Sequence, residues 1–251
     1  MNPCLTLDNI NYSYHTNAGE TPVLKDISFS VNTGSFISIV GPSGCGKSTL
    51  LSLICGLIKP ESGSIILNNN TSDSVHIGYM LQKDSLFEWL TIYKNITLGL
   101  EMHKLCTPEN LKAVDSMLES YDLSQFKNAR PSQLSGGMRQ RAALIRTLAL
   151  APDILLLDEP FSALDYQTRL EVSDDIYKII TEQNKTALLV THDISEAIAM
   201  GDQIIILSKR PAQIKKIINI DFPIQNRTPL SVRTTPQFSV YFNQILKEME
   251  I

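Results

Sequence analysis

The sequence predicts an α/β fold, with a largely parallel sheet covered by helices and a mostly helical segment inserted between two strands. Short apolar runs alternate along the chain with stretches of helical periodicity, as parallel strands and their crossover helices require. Residues 36–40 form one such run, a glycine-rich loop follows at residues 41–48, and a helical pattern begins directly after it. This order of strand, loop and helix predicts a phosphate-binding loop at the carboxyl end of a strand.

The first half of the chain contains the other predicted elements that precede the helical segment. Alternating apolar positions predict strands between residues 5 and 31 and at residues 64–67 and 75–81. Residues 86–150 instead carry helical spacing, including a helix with Thr107 as its N-cap. We therefore expect a mostly helical subdomain there.

The α/β pattern resumes after the helical segment. The predicted strands are residues 154–157, 187–190, 204–207 and 214–220, and the predicted helices are residues 166–184 and a terminal helix from Phe238. We expect a single domain over residues 1–251, with the helical subdomain at about 86–150 and a C-terminal extension at about 212–251.

The composition favours a folded domain and argues against several functions. Hydrophobic residues make up 43% of the 251 residues, which is enough for a core. The 22 basic and 26 acidic residues give a net charge of −4, so nucleic acid is not an expected partner. No apolar stretch approaches the roughly 18 residues of a membrane helix, and the first residues lack signal-peptide features, so we expect a membrane role only through a partner. The 4 cysteines fit neither zinc nor disulfide spacing and indicate reduced thiols.

The loop GPSGCGKS has the form G-x-x-x-x-G-K-[ST], which binds nucleotide phosphates. Glycines let successive N–H groups turn towards phosphate oxygens, and the following helix N-terminus adds positive potential. Lys47 adds a full charge, and the Ser48 hydroxyl can bind Mg²⁺. The alternative is a chance match, which the flanking strand and helix disfavour. The expected nucleotide-binding residues here are Gly41, Pro42, Ser43, Gly44, Cys45, Gly46, Lys47, Ser48 and Thr49.

Two carboxylates follow the apolar run of residues 154–157. Asp158 and Glu159 stand at the carboxyl end of a predicted strand, where α/β sheets bind ligands. Asp158 is expected to hold Mg²⁺ directly or through water, and Glu159 is free to act as a base on water. The alternative is an acidic strand end that only faces solvent.

A second candidate anion site lies at residues 134–140, LSGGMRQ. Ser135 is a predicted N-cap, so a hydroxyl, free backbone N–H groups and a helix N-terminus coincide there. Taken alone, this pattern is better explained as an ordinary helix start.

The order of these motifs resembles the ATP-binding subunits of ABC (ATP-binding-cassette) transporters. The phosphate loop, Gln82, the segment 134–140, the segment 154–159, the SALD sequence at 162–165 and His192 stand in the family order. The resemblance covers residues 5 to about 210 and implies a P-loop NTPase fold of the ABC type. That fold has a mostly parallel sheet, an antiparallel β subdomain and an inserted helical subdomain. The resemblance also implies ATP and Mg²⁺ as ligands and ATP hydrolysis as the reaction.

The resemblance gives further residues a role at the nucleotide. Tyr14 is expected to stack on adenine, although with Tyr12 close by it could instead be a buried strand aromatic. Glu159 is expected to be the general base, and His192 to contact the γ-phosphate. Gln82 is expected to bind Mg²⁺ or the attacking water and to sense the partner subunit.

The resemblance also implies that two subunits form a head-to-tail homodimer. Ser135, Gly136 and Gly137 of one subunit would contact the ATP of the other, and Asp165 would shape the contact between them. Many relatives have Gln where this chain has Met138, which we expect to alter one side-chain contact without abolishing activity.

Three segments resemble importers of the nitrate, sulfonate and taurine type, namely LSGGMRQR, ALDYQTR and the SKRP sequence at residues 208–211. That group also includes presumed carriers of thiamine or riboflavin precursors, so the expected substrate is a small organic or inorganic anion or a vitamin precursor. The implied partners are transmembrane permease subunits and, indirectly, an external substrate-binding protein, with the chain on the cytoplasmic side of the membrane. Residues 83–92 are expected to line the groove for the permease, and Trp89 either lies there or packs within the helical subdomain.

Three other functions remain open at this point. A soluble ABC ATPase for assembly or repair shares the nucleotide site, but the groove-like segment and the lack of a long inserted coiled coil disfavour it. An exporter ATPase subunit is a second alternative. A catalytically inactive scaffold is a third, which the intact Glu159 and His192 oppose.

Overall fold

The computed structural model describes residues 3–17, 19–68 and 75–249, so the expected domain limits at residues 1 and 251 lie outside the described residues. The strands are β1 (Pro3–Thr16), β2 (Gly19–Asn32), β3 (Phe36–Val40), β4 (Ser62–Leu67), β5 (Ile77–Met80), β6 (Ile154–Asp158), β7 (Thr186–Thr191), β8 (Gln203–Leu207) and β9 (Ile214–Asn219). The α-helices are α1 (Lys47–Ile54), α2 (Ile92–Met102), α3 (Pro108–Ser120), α4 (Gly136–Leu148), α5 (Tyr166–Glu182), α6 (Ile194–Met200), α7 (Pro229–Val232) and α8 (Pro236–Met249).

The main sheet has the strand order β5-β6-β7-β3-β8-β9. Every neighbouring pair is parallel except β8 with β9, which is antiparallel. The central strands β3, β6 and β7 are buried along their whole length. Strands buried on both faces read as continuous apolar runs, which is why these three were recognisable in the sequence.

Helices cover both faces of this sheet. Leu50 and Leu51 of α1 pack in one cluster with Ile39 and Leu156, together with the apolar residues of β1 and β2. Ala143 of α4 packs in a second cluster on Leu155 and Leu157, together with residues of α2, α3 and α5. The predicted α/β fold with a covered, mostly parallel sheet is confirmed.

Two further units flank the main sheet. Strands β2, β1 and β4 form an antiparallel sheet in that order. Helices α2, α3 and α4 stand between β5 and β6 in the chain, which is where the helical segment was predicted. Thr107 caps α3 as predicted, because its hydroxyl accepts from the backbone N–H of Asn110 at 3.3 Å.

Several element ends differ from prediction by one or two residues. The strand predicted at 75–81 is Ile77–Met80, the helix predicted at 166–184 ends at Glu182, and the terminal helix begins at Pro236 instead of Phe238. Helices α6 and α7 were not predicted, because 7 and 4 residues are too few to display helical periodicity. No helix in the described part of the chain is long and apolar enough to cross a bilayer.

Candidate nucleotide-binding site

The glycine-rich loop joins the end of β3 to the start of α1. Gly44 and Gly46 have φ angles of 72° and 125°, which L side chains rarely adopt. A Cβ at Gly46 would also lie 2.7 Å from Val23 Cγ1, so the antiparallel sheet leaves no room for a side chain. Lys47 is only 5% exposed, and its Nζ donates to the backbone oxygens of Gly41 at 2.9 Å and Pro42 at 3.1 Å. The lysine charge is therefore held directly over the loop.

The end of β6 brings Asp158 to the same place. Its Oδ1 accepts a hydrogen bond from the Ser48 hydroxyl at 3.0 Å, and its Oδ2 accepts one from the Tyr79 hydroxyl at 3.3 Å. Burial raises the pKa of the Asp158 carboxyl, while these two hydrogen bonds act to lower it. A hydroxyl and a carboxylate side by side are the hard oxygen ligands that suit Mg²⁺, which takes few protein ligands and keeps several waters.

Glu159 lies one residue further and turns the chain sharply. Its φ is +45°, and its backbone N–H donates to Val190 O at 2.8 Å, which anchors it to the end of β7. Its Oε2 accepts from Gln82 Nε2 at 3.2 Å and lies 3.1 Å from His192 Nδ1. Gln82 and His192 therefore both contact one oxygen of Glu159, so the three residues predicted to be catalytic meet although they are far apart in the sequence.

Tyr14 lies near the end of β1 and is 41% exposed, so it is not a buried strand aromatic. Its hydroxyl lies 3.1 Å from Thr49 Oγ1 in the first turn of α1. Tyr12 contacts it edge-on, with ring centroids 5.1 Å apart. An exposed ring beside the phosphate loop is available for stacking on a flat ligand.

The segment with Ser135 forms the start of helix α4. Ser135 is the N-cap of α4, as predicted, and its hydroxyl accepts from Met138 N at 3.4 Å. A Cβ at Gly137 would lie 2.7 Å from Thr168 Cγ2, so the first turn of α4 sits directly against α5. Gly136 similarly faces Leu164.

Asp165 caps α5 beside this segment, and its Oδ1 accepts from Thr168 N at 3.1 Å. Hydrogen bonds from the side chain and the backbone N–H of Thr168 lower the pKa of the Asp165 carboxyl. Within the described residues, no hydrogen bond or ion pair joins Ser135, Gly136, Gly137 or Asp165 to Lys47, Ser48 or Glu159. One chain thus holds two candidate anion sites that no hydrogen bond joins within the described residues.

A network of ion pairs and hydrogen bonds around the residues next to His192 was not predicted. Arg169 Nη1 pairs with Asp193 at 3.3 Å and with Glu196 at 3.6 Å, and Nη2 donates to Leu164 O at 3.1 Å. Glu196 is buried, which raises its pKa, and it accepts from Thr191 Oγ1 at 2.6 Å. The chain on both sides of His192 is thereby tied to α5 and α6.

Part of this network was visible in the sequence. The pattern Asp193-Ile-Ser-Glu196 is that of an N-cap followed by an acid three residues later, and Asp193 does cap α6. The role of Arg169 had no local signal.

The segment after Gln82 is held by ion pairs. Arg139 contacts Asp84 at 2.8 Å and Glu88 at 3.1 Å. Trp89 is 70% exposed, so it does not pack within the helical subdomain, and its ring lies 4.9 Å from that of Phe87. Phe87 in turn lines a groove of about 410 Å³ whose other walls include Tyr79, Met102, Arg146 and Leu150.

The chain is similar to known proteins over most of its length. A family model described as ABC transporter matches residues 24–162. The uncharacterized ABC transporter ATP-binding protein YtlC of Bacillus subtilis (strain 168) is 44% identical, over 98% of this chain and 95% of its own length. The taurine import ATP-binding protein TauB of Pelagibacter ubique (strain HTCC1062) is 41% identical, over 87% of this chain and 83% of its own length. The solved dimeric, post-hydrolysis structure of the ATP-binding cassette MJ0796, bound to ADP and Pi, is 32% identical with a TM-score of 0.73, over 87% of this chain and 99% of that one.

Proposed function

The chain belongs to the ABC transporter family, and from this premise we propose that it is the ATP-hydrolysing subunit of an importer. In this proposal a homodimer of the chain couples ATP binding and hydrolysis to uptake through transmembrane permease subunits. The observation that carries the proposal is the meeting of Gln82 and His192 on Glu159, next to the pair formed by Ser48 and Asp158.

Each of these residues has a chemical task. The loop N–H groups and Lys47 bind the phosphates, and Ser48 with Asp158 would hold Mg²⁺, which neutralises charge on the outer phosphates when bound. Glu159 accepts a proton from the attacking water as it adds to the γ-phosphorus, and ADP leaves. We assign His192 to donate to the γ-phosphoryl oxygens and Gln82 to orient the water, because both contact Glu159.

We infer the homodimer from the two candidate anion sites of one chain, between which the described residues form no hydrogen bond. Ser135 and the N-terminus of α4 offer donors that would bind a phosphate held by a second copy. If a second copy faces the first head to tail, these donors reach the nucleotide on its loop and complete the set around the transferring phosphoryl group. The dimeric form of the MJ0796 cassette supports this assembly.

The importer assignment rests on relatives and on one surface. TauB is named a taurine importer subunit, and taurine is a small sulfonate, so we propose a small anion of this kind or a vitamin precursor as the substrate. The exposed Trp89 and the groove beside Phe87 offer an apolar docking site for a permease helix. In this proposal that contact forms on the cytoplasmic face of the membrane. An external binding protein would deliver the substrate.

The test is recovery of the tagged chain from detergent-solubilised native membranes, with co-purified partners identified by mass. A hydrophobic permease and a periplasmic-type or lipid-anchored binding protein are the expected partners. Recovery only from the soluble fraction with soluble partners would overturn the transport proposal and would leave the ATPase site standing. A phosphate-release assay on the same preparation separates an active subunit from an inactive scaffold.

A further inference from the structure

We propose that Tyr79 is a positioning residue for the Mg²⁺ site, because its hydroxyl fixes the orientation of the Asp158 carboxylate from the side opposite to Ser48. The inference rests on the proposed function, since it concerns the metal that accompanies the nucleotide. It adds a residue of the neighbouring strand to a site otherwise formed by the phosphate loop and the end of β6.

The sheet places Tyr79 beside Asp158. Strands β5 and β6 are parallel, and Tyr79 is the register partner of Leu156, two residues before Asp158. Residues two apart on a strand point to the same face, so the phenol on one strand and the carboxylate on the next share a face of the sheet. The Tyr79 hydroxyl is 3.3 Å from Asp158 Oδ2.

The direction of this hydrogen bond is fixed by chemistry. A phenol keeps its proton at neutral pH and a carboxylate oxygen can only accept, so the Tyr79 hydroxyl donates to Asp158 Oδ2. The Ser48 hydroxyl donates to Oδ1 at 3.0 Å. With one donor on each oxygen, the carboxylate cannot rotate about its Cβ–Cγ bond without breaking one of the two bonds.

A fixed carboxylate matters because of what it does to Ser48. A hydroxyl that donates its proton to Asp158 keeps its lone pairs free on the side away from that carboxylate oxygen, where they could bind a metal. If Asp158 could rotate, the Ser48 proton would lose its acceptor and the hydroxyl would no longer be preset as a ligand. Tyr79 therefore acts on the metal through Asp158 and Ser48 and does not touch it.

Packing alone does not require a tyrosine at this position. Tyr79 is only half-buried and packs at the margin of a large apolar cluster, where the ring of phenylalanine would fill the same space. The hydroxyl is the only group that distinguishes the two side chains, and it donates to Asp158 and also interacts with the Ser52 side chain. The substitution Tyr79→Phe thus keeps the ring and removes the hydrogen bond to Asp158 together with this second contact.

The experiment measures metal binding directly, using the full chain and Mn²⁺ as the probe. Loss of the free Mn²⁺ electron paramagnetic resonance signal gives the Mn²⁺ affinity of the chain's ADP complex when the chain is in excess over ADP and the Mn²⁺ bound by ADP alone is subtracted, and ADP affinity is measured separately in EDTA. For Tyr79→Phe we expect Mn²⁺ affinity to fall about tenfold, as is usual when an outer-shell partner of a metal site is lost. Metal-free ADP affinity and melting temperature should stay at the wild-type values.

The matched control is Tyr121→Phe, which removes the hydroxyl of another half-buried tyrosine, packed in the helical subdomain. Unchanged Mn²⁺ affinity in Tyr79→Phe, an equal loss in Tyr121→Phe, or an equal loss of ADP affinity in EDTA would each overturn the inference. Wild-type chain that binds no Mn²⁺ with ADP would refute the nucleotide site itself, so the two failures are distinguishable.

Discussion

The substitution Glu159→Gln tests the proposed base with the least disturbance of structure. Both Gln82 Nε2 and His192 Nδ1 contact Oε2, at 3.2 Å and 3.1 Å, and we therefore assign the proton from water to Oε1. A glutamine can place its amide oxygen where Oε2 lies and keep a contact with a donor. Its amide nitrogen then occupies the Oε1 position, where it has no lone pair to accept a proton.

The expected magnitudes follow from this exchange of atoms. The loss of a general base costs about 10²–10⁴ in rate, equivalent to roughly 2.7–5.4 kcal/mol in the barrier. The stability cost should stay below about 1 kcal/mol, because the shape is kept and the two contacts of Oε2 that lose the charge are both solvent-exposed. The variant should therefore bind ATP with Mg²⁺ nearly as the wild type does and release phosphate hardly at all.

The assay is phosphate release at saturating ATP and Mg²⁺, with nucleotide affinity and melting temperature measured on the same samples. The control is Glu171→Gln, which makes the same chemical change at an exposed residue of α5 away from the loop. Near-normal turnover by Glu159→Gln would refute the base assignment. Equal losses in both variants would show that the effect is not specific to the site.

Three further substitutions test other parts of the reasoning. Lys47→Ala should weaken nucleotide binding about 10- to 100-fold in a titration, since it removes charge-assisted bonds worth roughly 1.5–3 kcal/mol, and unchanged affinity would contradict the loop assignment. Burial acts to raise the pKa of the Asp84 carboxyl, but the hydrogen bonds and the charge of Arg139 outweigh burial, and the net pKa is lowered. The ionised carboxylate therefore stabilises the fold fully above pH 3.8, and this stabilisation is lost as the pH falls further. Asp84→Asn should thus reduce the free energy of unfolding by about 1 kcal/mol at pH 7, a difference that denaturant titrations should find shrinking below pH 3.8. Trp89→Ala should change stability by less than about 0.5 kcal/mol and leave the ATPase rate of the isolated chain intact, while reducing stimulation by a reconstituted permease.

Local features of the sequence predicted much of the fold. The buried strands β3, β6 and β7 are continuous apolar runs, and the helix starts at Thr107 and Ser135 carry hydroxyl caps. These patterns depend only on neighbouring residues in the chain, so they can be recognised without knowledge of the tertiary structure. The resemblance added which distant motifs belong together, and it named the residues that the structure brings to Glu159.

What the sequence could not predict is set by long-range packing. The contacts of Arg169 with Leu164, Asp193 and Glu196 join the start of α5 to the start of α6. The rest of α5 and strand β7 lie between them in the chain, so no local pattern encodes these contacts. The hydrogen bond of Tyr79 to Asp158 depends on strand register. In the sequence this tyrosine is indistinguishable from any strand aromatic.

The backbone of Glu159 links strain to the proposed chemistry. A non-glycine residue at φ +45° is in the left-handed region, which costs roughly 1–2 kcal/mol, and glycine would relieve it. The conformation is held by the bond from Glu159 N to Val190 O, and it turns the side chain from the line of β6 towards Gln82 and His192. Had the strand continued straight, residue 159 would have pointed to the face opposite Asp158, away from the Ser48 pair. The bend therefore lets two adjacent carboxylates face one site, as the proposed roles of Asp158 at the metal and Glu159 at the water require.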